Sequence, residues 1–376
     1  LGGERPPSFP PWQGGMNAVL RCTVSECVLA TVVCLSVLVV LPGCASSKIT
    51  ADPVYFPPPP AAPHAVHLKS FNRLDELVQV RSSWVDVLRG RVSRPFVETP
   101  AGVTYNDQHL YICDTGSNAV HDWSLASGKS RIISSRGGIA LAKPVDVAVD
   151  SAGTLFVADS ERGEVVAFEA GDGGVKRFKP ENRDGFRPAA VAVHDARLYV
   201  TDLAAHKVDV FEIDTARHIE AIGRLGGPPG TFYFPTGIAV DAEGKLFVAD
   251  MFNARVQVFD ERHDVVLSMG QPGNRYGDMS KPKHVAVGPD GVIFVADSEF
   301  ARVHLFNQQG QLLMLMGRSD EGPGSTPMPM GVAVASTVPD QIAALVPTGF
   351  AARYYVFVTN TVGRKRINLF AVGEAR

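Results

Sequence analysis

Two residues of this 376-residue chain, Asp146 and His284, combine types and positions that suit acid/base chemistry. Each stands two positions after a proline that opens a repeated phrase, PVDVAV at Pro144 and PKHVAV at Pro282. A carboxylate beside an imidazole can hold a metal ion or water, or pass a proton to a substrate. Whether the two groups meet depends on the elements that carry them, and the repeat predicts those elements.

The repeat consists of six phrases whose opening prolines are separated by 44 or 47 residues. Each phrase has up to four short runs of alternating apolar and polar residues, divided by joints rich in Gly and Asp, which predicts β-strands. In the fourth phrase these runs are 236–240, 246–249, 255–259 and 265–269. Six four-stranded units predict an all-β fold, a six-bladed β-propeller. The opening prolines are Pro100, Pro144, Pro188, Pro235, Pro282 and Pro329.

The last phrase has only three such runs, so the ring needs a strand from elsewhere. The run AVHLKSF, residues 65–71, resembles the fourth runs of the other phrases, and we expect it to pair with the last blade. That pairing would join the first blade to the last and remove two exposed sheet edges. Residues 73–92 lie outside the phrases, and their apolar residues recur at roughly helical spacing. They predict a short helical segment over one face of the propeller.

The N-terminal residues predict a targeting signal. Residues 1–43 are interpreted as a leader and a lipoprotein signal peptide, with Met16 as the expected start of the protein. The apolar run 28–41 is shorter than the stretch of about 20 apolar residues that a membrane-spanning helix needs. We therefore expect this segment to be removed from the mature protein.

The signal ends in LPGC, which resembles a bacterial lipobox and implies that Cys44 is lipidated. Because Ala45 follows the cysteine, analogy with lipoprotein sorting implies the cell envelope, at the outer membrane of a Gram-negative bacterium. Residues 44–64 include four consecutive prolines and predict an extended spacer. The propeller is then expected to occupy residues 65–376.

One phrase carries a family resemblance. The pattern P-x-GIAVD-x-x-G-x-LFVAD-x-x-x-x-RVQVFD, preceded by GGPPGTFYFP, resembles the NHL repeat. The resemblance covers all six units and is strongest at residues 235–260. With the lipobox and the proline spacer, the chain is similar to bacterial NHL-repeat lipoproteins. This implies the propeller fold but leaves function open, because NHL propellers include RNA binders, protein-binding modules, sensor domains and a metal-dependent amidating lyase.

Five aspartates stand at equivalent places, each ending the second run of a phrase. A short carboxylate there can accept hydrogen bonds from turn amides, and five acids spread around a ring cannot converge on one substrate. We therefore interpret them as turn-fixing residues. They are Asp114, Asp159, Asp202, Asp250 and Asp297.

The second position after each proline is expected to lie nearest the propeller axis. Four of its six occupants are small, as crowding there requires. The other two, Asp146 and His284, belong to units two and five and should face each other. One carboxylate and one imidazole fall short of a closed metal site, so we favour a polar pair bonded to the rim or to channel water over a single Zn or Ca site. The six occupants are Gly102, Asp146, Ala190, Gly237, His284 and Gly331.

The loops that precede the first strand and follow the second are expected to share one face, the loop face, which is rich in cations. Such a face would suit an anionic partner, either an acidic protein patch or an acidic polysaccharide. A formal net charge of only −3 gives no support for nucleic-acid binding. The predicted binding residues are Arg255, Arg275, Lys283, Arg364, Lys365 and Arg366.

Three functional hypotheses follow. The favoured one is a lipid-anchored, extracytoplasmic and non-catalytic binding or scaffold module without a cofactor, which contacts the membrane only through its anchor. The second is a metal-dependent lyase or hydrolase acting through Asp146 and His284 at the channel mouth. The third is an accessory subunit of an envelope or extracellular electron-transfer assembly. Motifs for a serine nucleophile or a phosphate loop do not occur in the sequence.

Overall fold

Six antiparallel sheets follow the six phrases and form the blades of a propeller. The structure is a computed structural model that describes residues 53–58, 60–80, 96–171, 173–181 and 184–376. The predicted signal peptide and Cys44 lie outside these residues. No helix in the described part of the chain is long and apolar enough to cross a membrane.

The strands are numbered in chain order. Two of them precede the first phrase, β1 (Val54–Phe56) and β2 (Ala65–Phe71). Blade 1 contains β3 (Pro100–Asn106), β4 (His109–Asp114), β5 (Ala119–Ser124) and β6 (Lys129–Ile133), followed by the small hairpin β7 (Ser135–Arg136) and β8 (Ile139–Ala140). Blade 2 contains β9 (Pro144–Val149), β10 (Leu155–Asp159), β11 (Glu164–Phe168) and β12 (Val175–Phe178). Blade 3 contains β13 (Pro188–His194), β14 (Arg197–Asp202), β15 (Lys207–Glu212) and β16 (His218–Ile222).

The remaining blades repeat this order. Blade 4 contains β17 (Pro235–Val240), β18 (Leu246–Asp250), β19 (Arg255–Phe259) and β20 (Val265–Met269). Blade 5 contains β21 (Pro282–Val287), β22 (Ile293–Asp297), β23 (Arg302–Phe306) and β24 (Leu312–Met316). Blade 6 contains β25 (Pro329–Ala335), β26 (Phe350–Asn360) and β27 (Ile367–Ala375), completed by β2 and β1.

The hydrophobic core lies between neighbouring blades. The second strand of blade 4, LFVAD, is buried at every position because blades pack against both of its faces. Between blades 4 and 5, the side chains of Phe247, Val256, Val295 and Phe306 form one such layer. A strand with a continuous apolar run is therefore covered on both faces. The outer strands alternate in polarity because one of their faces meets solvent.

The propeller closes as the sequence predicts. Strand β2 pairs antiparallel with β27, with Ala65 opposite Val372 and Phe71 opposite Ile367. Strand β1 then pairs with β2 and adds a fifth strand to this sheet. This strand lies inside the segment interpreted as a spacer, so the fold begins before residue 65.

The segment after β2 forms a short helix, α1 (Leu74–Leu77), which buries Leu74 and Leu77 in the core shared by blades 6 and 1. Residues 81–92 of the predicted helical segment lie outside the described residues. The insertion in the last phrase contains a second helix, α2 (Asp340–Ala343), whose Ile342 joins the same core. Both helices therefore pack on the propeller that carries them.

Candidate functional site

The aspartates that end the second strands fix the connections between blades. Asp114 accepts hydrogen bonds from the amides of Glu98 and Thr99, at 2.9 and 2.7 Å. Asp297 accepts two equivalent amide bonds in blade 5, at 2.7 and 3.0 Å. Burial opposes ionisation of Asp114, but hydrogen bonds from His121 and the two amides outweigh it and hold the pKa of this carboxyl well below its usual range. The structural interpretation of these aspartates is confirmed.

Asp146 and His284 meet across the propeller axis, as their positions in blades 2 and 5 predict. The Nε2 atom of His284 lies 3.4 Å from Oδ1 of Asp146, and both side chains are nearly buried. The Val191 amide donates a hydrogen bond to Oδ2 of Asp146 at 2.9 Å. The Val332 amide donates to Nδ1 of His284 at 3.5 Å, so a neutral imidazole carries its proton on Nε2 and faces the carboxylate.

Glycines around the axis make room for this pair. A Cβ atom at Gly102 would lie 2.0 Å from Oδ1 of Asp146. A Cβ atom at Gly237 would lie 2.6 Å from the Cα atom of His284. Contacts this short do not occur between real side chains and backbone. Gly102 and Gly237 are therefore required by the two large residues, whereas a Cβ atom at Gly331 would meet the Ala101 carbonyl and Thr359.

The pair does not form a closed metal site. Its side chains supply one carboxylate and one imidazole, and Gly or Ala occupies the other four axial positions. Within the described ranges, no group of three or more His, Cys, Asp and Glu is placed to hold a metal ion. Because structural zinc uses four protein ligands and calcium six or more oxygens, neither ion fits these two side chains alone. A cavity of about 220 Å³ with Val and Ala walls adjoins the pair along the inner strands.

Arg255 holds its own loop in place. Its Nε atom lies 2.9 Å from the Asp250 carboxylate, and its guanidinium also donates to the carbonyls of Pro228 and Thr231, at 3.1 and 2.9 Å. The side chain is only 11% exposed. These contacts leave little of the guanidinium for an external partner.

All three residues of the cluster at 364–366 are bonded to the region where the propeller closes. The carbonyl of Arg364 accepts a hydrogen bond from the Asn72 side-chain amide at 2.7 Å. Lys365 pairs with Glu76 of α1 at 2.7 Å. The amide of Arg366 donates to Asn72 at 2.7 Å, so this loop is bonded to the segment that follows β2. The side chain of Arg364 is exposed. The cluster belongs to blade 6, whereas Arg255, Arg275 and Lys283 lie in or between blades 4 and 5.

The remaining two predicted cations differ in exposure. Arg275 is exposed on the connection between blades 4 and 5. Lys283 is half-buried, and its Nζ atom lies 3.0 Å from the sulfur of Met251. Burial, with a smaller contribution from Lys281, lowers the pKa of Lys283. A partner role for any of the six cations stays a prediction.

An aromatic cluster at the start of blade 4 was not predicted from the sequence. It consists of Tyr233, Phe234 and Phe252, with His206 from blade 3 against it. The ring centroids of Tyr233 and Phe252 are 5.1 Å apart, and those of Phe234 and Phe252 are 5.0 Å apart. Tyr233 is 45% exposed and Phe252 47% exposed. We call these four residues the aromatic cluster.

The backbone under the aromatic cluster is held by specific bonds. Phe234 has φ +63°, a left-handed conformation that is unusual for a bulky residue. Its amide donates to Nδ1 of His206 at 3.2 Å, and the Tyr233 amide donates to Asp250 at 2.7 Å. Gln257 donates to the Thr231 carbonyl at 2.8 Å. Uncommon backbone conformations persist where surrounding contacts enforce them, and they concentrate at functional sites.

The signal for this cluster is visible in the sequence once the phrases are aligned. Phe234 immediately precedes the opening proline, where the phrases of blades 2, 3 and 5 have Lys143, Arg187 and Lys281. The first and last phrases have Thr99 and Met328 there, so the position is basic in half of the phrases and aromatic in one. The strained conformation and the packing against His206 of another blade depend on the tertiary structure.

Comparison with known proteins agrees with this geometry. Residues 141–168 and 232–259 match the family model of the NHL repeat. The chain contains NHL repeats. The second match covers the loop of the aromatic cluster together with the first three strands of blade 4, and the propeller has six blades in all.

Among curated proteins, a match is the chloroplastic protein SUPPRESSOR OF QUENCHING 1 of Arabidopsis thaliana, with 23% identity. The alignment covers 41% of this NHL propeller chain and only 18% of that relative. The chain therefore matches less than a fifth of that relative's length.

Several solved structures share the fold. A gluconolactonase from Xanthomonas campestris has a TM-score of 0.53 with 15% identity, over 83% of this chain and 98% of that one. Virginiamycin B lyase from Staphylococcus aureus has a TM-score of 0.51 with 14% identity, over 73% and 95%. A calcium-binding regucalcin from Agrobacterium tumefaciens has a TM-score of 0.50 with 12% identity, over 74% and 91%. At these identities the likeness concerns the fold alone.

Proposed function

We propose that this NHL propeller is a non-catalytic binding module that holds a protein partner on its loop face, at the aromatic cluster. The observation that carries the proposal is the exposure of Tyr233, on a loop that Arg255 and Gln257 hold in place, and of Phe252, on the turn after β18 that packs against it. Exposed aromatic groups on a rigid support are typical anchors of protein interfaces. A rigid loop also loses little conformational entropy on binding.

The ring geometry favours a protein over a glycan. The planes of Tyr233 and Phe252 meet at 53°, and those of Phe234 and Phe252 at 68°. Rings packed against each other at such angles do not offer one flat surface on which successive sugar rings could stack. The exposed parts of Tyr233 and Phe252 instead suit contact with an apolar side chain of a partner.

Charge near the cluster adds a second requirement. Lys283 contacts Met251, the residue before Phe252, and Arg275 lies exposed on the next connection. An acidic group beside the partner's apolar anchor would pair with these cations. We therefore propose that the partner presents an apolar residue flanked by acidic ones.

The test compares the full-length chain with a Tyr233→Ala/Phe252→Ala variant. A partner cross-linked in the native cells is identified, purified and titrated against both proteins. We expect the double variant to weaken binding at least tenfold, with an unfolding midpoint close to that of the wild type. Ile219→Ala, which truncates an exposed residue on the outer strand of blade 3, is the matched control.

Two outcomes would contradict the proposal. Equal binding by the double variant and the control would remove the aromatic cluster from the interface. Binding of acidic polysaccharides that depends on Tyr233 and Phe252, without a protein partner, would assign the cluster to glycans instead.

The membrane attachment is a separate part of the proposal. We propose that Cys44 is lipidated and that the propeller resides in the cell envelope, at the outer membrane; the sequence LPGC supports this. Mass spectrometry of the native protein should show an acylated cysteine at position 44 as the first residue. Cys44→Ser should release the protein from the membrane fraction, and retention of that variant in membranes would contradict the anchor.

A second candidate function is a lyase or hydrolase, because Asp146 and His284 lie within 3.4 Å of each other at the end of a cavity. In a metal-dependent form, further ligands would have to come from substrate or water. Metal analysis of the purified chain beside His284→Ala tests it. About one equivalent of Zn or Ca in the wild type alone would favour an enzyme, and equal metal content in the two proteins would count against it.

A further inference from the structure

The connection between blades 1 and 2 has a hairpin of its own. Strands β7 and β8 pair as a separate two-stranded sheet, with Ser135 opposite Ala140 and Arg136 opposite Ile139. The connections that follow blades 3, 4 and 5 make a single isolated bridge each. The hairpin is therefore an addition to the repeat at the junction of blades 1 and 2.

The hairpin borders a cavity between these blades, which we call the blade 1–2 cavity. Its volume is about 320 Å³, and small-molecule sites span roughly 300–1,000 Å³. Its floor is apolar and belongs to the core between the two blades, with Ile133, Leu155 and Phe168. Its titratable lining residues are Tyr111, Arg131, Arg136 and Glu169.

Arg136 carries a charge that no carboxylate neutralises at close range. Its guanidinium donates to the carbonyls of Glu169, Gly171 and Gly173, at 2.6, 2.6 and 2.8 Å. These bonds hold the turn between β11 and β12 against the hairpin. In the described part of the chain, Arg136 forms no ion pair with a carboxylate. Because a guanidinium has five N–H groups, two of them remain for a ligand.

Tyr111 and Arg131 add further donors to the cavity. Burial, and then the neighbouring Asp122, raise the pKa of Tyr111 to about 12, so the phenol keeps its proton at physiological pH. Its hydroxyl bonds to none of the described residues. Arg131 donates from one nitrogen to Asp122 at 2.9 Å, and its side chain is 58% exposed. The cavity therefore offers hydrogen-bond donors above an apolar floor.

The carboxylates near the cavity are already paired. Asp122 lies 2.6 Å from Nδ1 of His109 and also holds Arg131. Glu169 pairs with Lys176 at 3.4 Å. With His109 neutral, the lining residues and their ion-pair partners carry three positive and two negative charges. One positive charge is therefore in excess, and it belongs to the arginine that has no carboxylate partner.

We propose that the blade 1–2 cavity binds a small monocarboxylate with an apolar body. A carboxylate accepts parallel hydrogen bonds from a guanidinium, and the Tyr111 hydroxyl can donate a further one. The apolar body would cover Leu155 and Ile133 and exclude water from them. A single negative charge balances the excess, whereas an uncharged ligand leaves it uncompensated and a dianion exceeds it.

Blade 3 provides a natural comparison. Tyr199 occupies the position of Tyr111 in the second strand, but Val210 and Glu220 stand opposite it where blade 1 has Asp122 and Arg131. The tyrosine is thus retained in blade 3, while the cation is replaced by an acid. Tyr199→Phe is therefore a matched control for Tyr111→Phe.

The experiment titrates benzoate into the full-length chain by isothermal calorimetry, beside benzamide and the dianion of phenylphosphonate. We expect saturable binding of benzoate, and binding of the other two probes weaker by about tenfold or more. Tyr111→Phe, which removes only a hydroxyl, and Arg131→Gln should each weaken benzoate binding about tenfold. Tyr199→Phe should leave it unchanged. Thermal unfolding verifies that the variants fold.

Three outcomes would overturn the proposal. The first is the absence of saturable benzoate binding to the wild type. The second is equal affinity of the Tyr111→Phe and Tyr199→Phe proteins, a comparison that remains valid if Arg131→Gln fails to fold. The third is binding of benzamide or phenylphosphonate as tight as that of benzoate, since a monocarboxylate would then not be the ligand class.

Discussion

Blades 4 and 5 are neighbouring repeats with nearly the same second strand, LFVAD and IFVAD, yet they carry different candidate regions. Blade 4 has Gly237 at the axis and exposes the aromatic cluster on its loop. Blade 5 has His284 at the axis and Lys281 before its opening proline. The strand residues that pack between blades are shared, and a few positions around the proline decide what each blade presents. Substitutions at matched positions of the two blades therefore test which residues the fold requires.

The largest effect is expected at the axis, for Gly237→Ala. The new Cβ atom would lie 2.6 Å from the Cα atom of His284 and 2.7 Å from the Lys283 carbonyl, and backbone atoms cannot rotate away. We expect the free energy of unfolding to fall by about 3 kcal/mol. Denaturant unfolding measures it. In the control Gly227→Ala, the nearest atom lies 3.9 Å away, and equal stability of the two variants would contradict the crowded axis.

An intermediate effect is expected for Arg255→Ala in blade 4, compared with Arg302→Ala at the equivalent position of blade 5. Arg255 bonds to Asp250 and to two loop carbonyls, whereas Arg302 is exposed. We expect a loss of about 2 kcal/mol for Arg255→Ala and less than about 0.5 kcal/mol for Arg302→Ala.

Hydrogen exchange of residues 226–234 should also quicken in Arg255→Ala alone. Similar stabilities and exchange rates in the two variants would show that Arg255 does not hold the loop of the aromatic cluster. In that case its guanidinium becomes available for the partner role that the sequence predicts.

The smallest change in the free energy of unfolding depends on pH and is expected for His304→Gln. This substitution places in blade 5 the glutamine that blade 4 has at the equivalent position, Gln257. Burial, opposed in part by Asp297, holds the pKa of His304 below its ordinary value. The folded state therefore resists protonation more than the unfolded state, and wild-type stability falls as pH drops below about 6.5. The variant lacks this contribution.

We expect the stability difference between pH 7 and pH 4.5 to be roughly 1–2 kcal/mol smaller in His304→Gln than in the wild type. Urea unfolding at both pH values measures it. The same pH dependence in the two proteins would show that His304 is protonated as readily in the folded as in the unfolded chain.

Much of the fold follows from local rules that the sequence displays. Strand residues alternate with period two, and tight joints recur, so the four-stranded phrase and the closing role of residues 65–71 could be predicted. The meeting of Asp146 and His284 also follows, because positions three blades apart in a ring of six lie opposite each other. Strand β1 was not predicted, since its residues precede a run of prolines that indicates a spacer.

The candidate surfaces depend on contacts that no local rule describes. Arg255 is a cation on a predicted loop face, but the carbonyls of Pro228 and Thr231 come close enough to engage it. The aromatic cluster needs Phe252, from the turn after β18, to reach Phe234, which precedes β17. The 11 residues of β26 arise partly from an insertion in the last phrase, whose shape the pattern of the phrases does not describe. Each depends on how separate loops pack, and sequence spacing does not encode that.

The sequence by itself determined the number of blades, their closure and the small residues of the axis, because each repeat of the pattern buries its apolar strands against the neighbouring repeats. The tertiary structure alone decided which polar and aromatic side chains are bonded to other residues of the propeller and which face solvent. The physical reason is that burial of a strand depends on its own periodicity, whereas exposure of a loop side chain depends on bonds made by residues of other loops and blades.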